Sequence, residues 1–190
     1  MILTGPEIAA QVHAGRIHID PFTEDRVNPN SYDFHLLDHL ITYDHVELDT
    51  AIANPARRVP FPKSGLVLRP DRVYLGATLE VMGSEHYVPI IRGKSSLARL
   101  GLFINMTADL IDLGSVNRWT LQLHAIQPLR IYPGMLIGQV TFWEPTGQRV
   151  LYQGKYQGSM EPRPSESYRD NAPPAAAAGR LEVGTGGAGQ

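Results

Sequence analysis

The chain contains no cysteine in 190 residues. That excludes disulfides, thiolate nucleophiles, iron–sulfur clusters and every zinc site with a Cys ligand. Among the classes removed are the zinc-dependent nucleobase deaminases, whose metal needs a His/Cys/Cys or Cys₃ set. An excess of charge is also missing: 17 Lys and Arg against 19 Asp and Glu give a net charge of −2. Such a balance supplies no broad basic face, so the expectation is a protein without a nucleic-acid partner. No apolar run approaches the roughly 18 residues of a membrane span, and no signal-peptide pattern is visible, so no membrane partner is expected either.

What is present is a succession of short β segments. One helix is expected at the start, capped by Thr4 or Gly5, with Pro6 in its first turn, Ile8 and Val12 on one face, and Gly15 at its end. Strands follow over Arg16 to Ile19, Tyr32 to Leu36, Leu66 to Leu68, Val73 to Val81 and Val88 to Ile91. Trp119, Leu121 and Leu123 alternate with Thr120, Gln122 and His124, the period of a strand with one buried face. Leu129 to Tyr132 turns at Pro133-Gly134 into Met135 to Trp143, Leu102 to Met106 is extended, and Asn54 to Ser64, with three prolines, reads as a loop. The fold class expected is mainly β, a barrel or sandwich with few helices. Beyond Asp170 the composition turns to Ala, Gly and Pro, which cannot bury enough apolar surface to offset ordering entropy. The expected organisation is one domain over residues 1–170 and a disordered tail over 171–190.

The densest local chemistry is Arg92-Gly93-Lys94-Ser95-Ser96-Leu97-Ala98-Arg99, which sets cations and hydroxyls at a strand-to-helix junction suited to an anion. It is not a P-loop, because the glycine required five positions before Gly93 is Val88. Solvated cations beside a capped helix account for the segment equally well on local grounds. Asp112, closing an apolar stretch before Gly114, reads as a base or a turn former. His35 and His39 are four apart in a β-like segment, where that spacing makes no metal pair, and surface or loop positions are expected for them. Tyr152-Gln153-Gly154-Lys155-Tyr156-Gln157-Gly158 interleaves aromatic, amide and cationic groups that could close over a base and its phosphates, or form a polar tail.

Taken together, the segments resemble the dCTP deaminase family, trimeric relatives of dUTPase, over about residues 1–168. The marks are Val27-Asn28-Pro29-Asn30-Ser31-Tyr32-Asp33, Ala77-Thr78-Leu79-Glu80, Gly93 to Leu102 as the signature, Thr107-Ala108 with Ile111-Asp112, Pro133 to Gln139, and Lys155-Tyr156-Gln157-Gly158. The resemblance implies a distorted β barrel or jelly roll of the dUTPase-like type, assembled as a cytoplasmic homotrimer with shared active sites. It implies that Ser95, Ser96 and Arg99 hold the phosphates, that Lys94 reaches a site across the interface, and that Ala108 lies along the nucleotide. Asp112 would contact the sugar and order water, while Tyr152, Lys155 and Gln157 would close over a pyrimidine nucleoside triphosphate. Magnesium would ride on the triphosphate, and no zinc would take part.

One position departs from that pattern. Family deaminases carry a Glu ten residues after the aspartate matching Asp112, and here that residue is Gln122. A glutamine can hydrogen-bond a pyrimidine ring but cannot accept and return a proton at neutral pH, a loss commonly worth 10²- to 10⁴-fold. Leu113 to Asn117 replaces the family's Pro-Gly-aromatic turn, and Ser159 and Glu161 stand where Gln and Gly are usual. The catalytic set implied is Ser95, Arg99, Asp112 and Gln122. Three readings of Gln122 remain open: an engineered Glu→Gln change trapping substrate in a dCTP deaminase, a dUTPase-like pyrophosphatase in which Asp112 activates water, or a nucleotide-binding protein retired from catalysis.

Overall fold

In the computed structural model, residues 1–171 are described; the expected tail beyond Asp170 lies, apart from Asn171, outside them. The order of elements is α1 (Gly5–His13), β1 (His18–Asp20), β2 (Val27–Asn28), β3 (Ser31–His35), β4 (Leu40–Tyr43), β5 (Ala56–Val59), β6 (Leu66–Leu68), β7 (Tyr74–Ala77) and β8 (Val81–Gly83). There follow β9 (Val88–Gly93), α2 (Ser95–Ala98), β10 (Leu102–Phe103), β11 (Thr120–Ala125), β12 (Leu129–Ile131), β13 (Leu136–Trp143) and α3 (Tyr168–Asn171). The mainly β expectation holds.

Two sheets carry the architecture, one of four strands in the order β2-β3-β13-β9 and one of five in the order β10-β11-β7-β4-β5. All their pairings are antiparallel, and the small pairs β1-β8 and β12-β6 complete the wall. The isolated bridge of Leu36 with Thr78, at the ends of β3 and β7, ties the sheets into a distorted barrel, and that of Ile90 with Leu110 holds the loop between β10 and β11 against β9. The core between them is fully apolar at Phe34, Leu36, Leu121, Leu123, Val140 and Phe142, each wholly buried. At about 25 cal/mol per Å² of apolar surface removed from water, these side chains supply most of the force holding the sheets face to face.

Close packing makes two glycines obligatory. A Cβ on Gly138 of β13 would fall 2.2 Å from the Phe34 ring, and one on Gly5 would fall 1.8 Å from the carbonyl oxygen of Asn28. Gly5 thus lets α1 lie against the β2 turn, where its N–H donates to the Pro29 carbonyl at 2.8 Å. Thr4 occupies the cap position without a side-chain cap bond, and Gly15, at φ +69°, lets the chain leave the helix.

The structure corrects three local expectations. Within the proline-rich stretch expected as loop, Ala56–Val59 forms β5, paired with β4 from Leu40↔Val59 to Tyr43↔Ala56. Both flanks of this edge strand are only half-buried and its centre is exposed, so no alternation marked it. The extended run after Gly101 is short, ending at Phe103. His39 takes one of the two expected placements, a loop, and is buried there, whereas His35 lies within β3. His35 is also largely enclosed, with Nδ1 against a carboxylate oxygen of the buried Glu80 and Nε2 2.7 Å from an Arg26 guanidinium nitrogen.

Candidate active site

β11 is the strand on which the site is built. Hydrogen-bonded between β10 and β7, it sends Leu121, Leu123 and Ala125 into the core and leaves Thr120, Gln122 and His124 half-buried on the other face. Over that face lies a cavity of about 410 Å³ whose walls come from β11, from the loop between β10 and β11, and from the chain after β13. Its volume lies within the range usual for small-molecule sites.

Four of the ten expected site residues meet here: Ala108, Asp112, Tyr152 and Gln122. Asp112 is exposed, at the mouth of the turn in which the Ser115 N–H donates to its carbonyl at 3.1 Å. Gln122 donates from Nε2 to the Thr120 carbonyl at 3.0 Å, and its Oε1 is buried with no partner. Asn117, which also lines the cavity, has a similarly unpartnered Oδ1. A buried acceptor without a donor costs free energy, and both residues belong to the cavity lining.

The other six stand off the cavity wall. Ser95, Ser96 and Arg99 are exposed on and just after α2, presenting hydroxyls and a guanidinium to solvent. Lys94 is turned back on Asp33, with which it forms an ion pair. Lys155 is paired with Asp170, whose hydrogen bond holds the ammonium above the usual lysine range. Gln157 works from behind: its Nε2 donates to the Gly114 carbonyl at 2.9 Å, bracing the turn that carries Asp112 and Ser115.

Tyr43, Arg118, Arg163 and Ser165, which no sequence motif marks, also line the cavity, as does Tyr156 of the Lys-Tyr-Gln run. They belong to a strap, the chain from Tyr152 onward, and to the strands it crosses. The Ser159 carbonyl accepts from the Arg118 N–H at 3.0 Å, the Arg163 N–H donates to Thr120 Oγ1 at 3.0 Å, and the Ser165 N–H donates to the Tyr43 hydroxyl at 2.8 Å. Further on, Glu166 is gripped by Arg169 and Arg163, whose hydrogen bonds hold its carboxyl below the usual range. Only Tyr156, inside the Lys-Tyr-Gln run, carried a local signal; the others are gathered by topology.

Fold and cavity together define a mainly β small-molecule site, with amide acceptors at its base, one exposed carboxylate at its mouth and tyrosines around its wall. The family described as dCTP deaminase-like matches residues 2–145. A dCTP deaminase of Rhodopirellula baltica is 45% identical over 171 residues, covering 90% of this chain and 86% of that protein. A protein of Clostridium botulinum named dCTP deaminase, dUMP-forming, is 43% identical over 172 residues, covering 90% and 98%. Among solved structures, the 2′-deoxycytidine 5′-triphosphate deaminase of Agrobacterium tumefaciens aligns with a TM-score of 0.58 at 20% identity. That alignment covers 74% of this chain and 47% of the other, so this chain spans about half that protein, and the likeness speaks for the fold. The chain belongs to the dCTP deaminase-like family.

Proposed function

We propose that the chain is a pyrimidine nucleoside triphosphate enzyme of the dCTP deaminase type that binds the nucleotide and acts on its phosphates, while Gln122 cripples deamination. The observation that carries this reading is the residue at the base of the cavity: Gln122 lines it with a neutral amide, one N–H of which donates to the Thr120 carbonyl while Oε1 is buried without a partner. Such a group can hold a base edge through an N–H. It cannot take a proton from water and pass it to a ring nitrogen and a leaving amine.

The remaining chemistry falls to Asp112. An exposed carboxylate at the cavity mouth is suited to orient and deprotonate a water for attack on the α-phosphorus, with pyrophosphate leaving. Several relatives are named as dUMP-forming, and dCTP and dUMP differ in phosphate count as well as in the base, which supports phosphate chemistry on this scaffold. Magnesium fits the donor set as a passenger on the triphosphate: the ion ordinarily takes one or two carboxylates beside phosphates and waters, and Asp112 is the cavity's one carboxylate. When bound, the ion supplies charge neutralisation at the phosphates.

Ser95, Ser96, Lys94 and Arg99 are assigned to the phosphates, and they require a second copy of the chain. On the same chain they lie off the cavity that holds Gln122, and the surface near them is apolar, with Leu100, Phe103 and Ile126 about half exposed or more. An exposed apolar patch beside the exposed Ser95, Ser96 and Arg99 fits a homotrimer with sites shared between subunits. Tyr152, Lys155 and Gln157 would close the site. The proposed folded unit is residues 1–170, and the proposed location is the cytoplasm.

Gln122→Glu tests the reading. A carboxylate cannot donate to the Thr120 carbonyl unless protonated, so that contact would favour the protonated acid, which suits a group that must give as well as take a proton. The variant is expected to gain ammonia release from dCTP by about 10²-fold or more. Ammonia release unchanged between the two proteins would overturn the role assigned to Gln122.

A further inference from the structure

From Asn117 to Gln122 the chain alternates buried and half-buried residues, so Arg118, Thr120 and Gln122 share one face, and all three line the cavity. At roughly 3.3 Å per residue, Arg118 stands about 13 Å along that row from Gln122. The row therefore carries a neutral amide at one end and a guanidinium at the other. Arg118 is half-buried, and main-chain carbonyls hold its side chain: Nε donates to Leu79, in the link between β7 and β8, at 3.0 Å, and Nη1 reaches Met160 of the strap at 3.5 Å. Carbonyls orient a cation without neutralising it. A guanidinium has five N–H groups, so three remain unspent, both of those on Nη2 among them. Of the two arginines in the cavity lining, Arg163 is paired with Glu166, whereas Arg118 is in ion-pair contact with no carboxylate among the described residues. A charge drawn partly out of water without a counter-charge is costly until an anion meets it.

We propose that Arg118 takes the phosphate end of the nucleotide whose base edge meets Gln122, so that the chain reading the base also supplies a phosphate donor. The inference deepens the nucleotide reading and rests on it. The other groups assigned to the phosphates, Ser95, Ser96, Lys94 and Arg99, come in that reading from a second copy, because in one chain they lie off the cavity. Arg118 belongs to the cavity itself. A planar guanidinium fixed through Nε, with donors left on its outer nitrogens, suits the paired oxygens of a phosphate and needs little reordering on binding. Its place at the far end of the row from Gln122 gives the cavity a direction, with the base toward β11 and the anionic end toward the turn that carries Asn117.

The test compares two ligands that differ in charge. The α,β-imido analogue of dCTP, which resists loss of pyrophosphate, and deoxycytidine, which has no phosphate, are bound to the full-length protein and to Arg118→Gln with Mg²⁺ present. The analogue is followed by calorimetry and the nucleoside by displacement. Arg118→Gln is expected to weaken the analogue about tenfold or more, the loss of a charge-assisted contact, and deoxycytidine by less than about twofold. Arg118→Lys is expected to recover part of the loss, because an ammonium restores charge but not the planar fork. Loosening of the strap alone would weaken both ligands alike, since the strap walls the cavity for each. Equal losses for the two ligands, or no loss for either, would overturn the assignment of Arg118 and leave the nucleotide reading standing. Failure of the unsubstituted protein to bind the analogue would sink that reading, and the assignment with it.

Discussion

The Gln122 side chain is tied to the Thr120 carbonyl 3.0 Å away on its own strand, leaving its Oε1 buried and unpartnered beneath the cavity. Thr120 is also held from the other side, its hydroxyl accepting from the Arg163 N–H of the strap. One strand position thus joins the base of the site to its cover.

Asp112→Asn should remove the carboxylate proposed to activate water and leave the cavity's shape unchanged. Pyrophosphate release is expected to fall about 10²- to 10⁴-fold. Nucleotide affinity by calorimetry should change by only a few fold, and a parallel collapse of binding would show that Asp112 serves recognition instead.

Arg99 and Asp112 are placed in different parts of one chain, with Arg99 off the cavity. If the site is shared, Arg99→Ala and Asp112→Asn chains, each inactive alone, should recover part of the activity when unfolded and refolded together, because mixed trimers contain sites with both residues intact. No recovery in verified mixed assemblies would place both residues in a single-chain site.

Gly138→Ala would press a methyl group to within 2.2 Å of the Phe34 ring and 2.6 Å of the Ile104 Cδ1. Overpacking of this kind costs about 1–3 kcal/mol, read as a lower denaturation midpoint at unchanged slope. Ala at Gly147, where no atom lies within 4 Å but φ is +98°, meets only backbone strain and serves as the comparison.

Glu166 makes the docking of the strap sensitive to acid. Arg169 and then Arg163 hold its carboxyl below the usual range, so its contribution to strap docking is present above the unfolded-state value of about 4.3 and is lost as pH falls through the lower folded value. Exchange protection at Glu166 and Ser167 should therefore decline in acid, and Glu166→Gln should abolish that decline.

The inward side of the fold was legible because its residues announce themselves locally. Leu121 and Leu123 alternate with polar neighbours, and the structure buries both completely. β5 escaped because its pairing is dictated by β4, and Arg57 and Arg58 give no apolar rhythm. The contact of His39 with Glu161, 122 positions away, is likewise encoded by no periodicity. At the site, the motif residues Asp112, Gln122 and Tyr152 were found and do share a cavity. Arg163 and Ser165 carry no motif and reach the wall only because the strap crosses β11 and β4.

Gln122 is proposed to separate nucleotide binding and phosphate chemistry from deamination. The most direct test of that separation is to incubate the protein carrying Gln122 with Mg²⁺ and dCTP, dUTP, CTP or UTP in turn, assaying ammonia and pyrophosphate in parallel from the same tube. Pyrophosphate without matching ammonia is the result expected. Ammonia released from dCTP at a rate equal to that of the Gln122→Glu variant would contradict it.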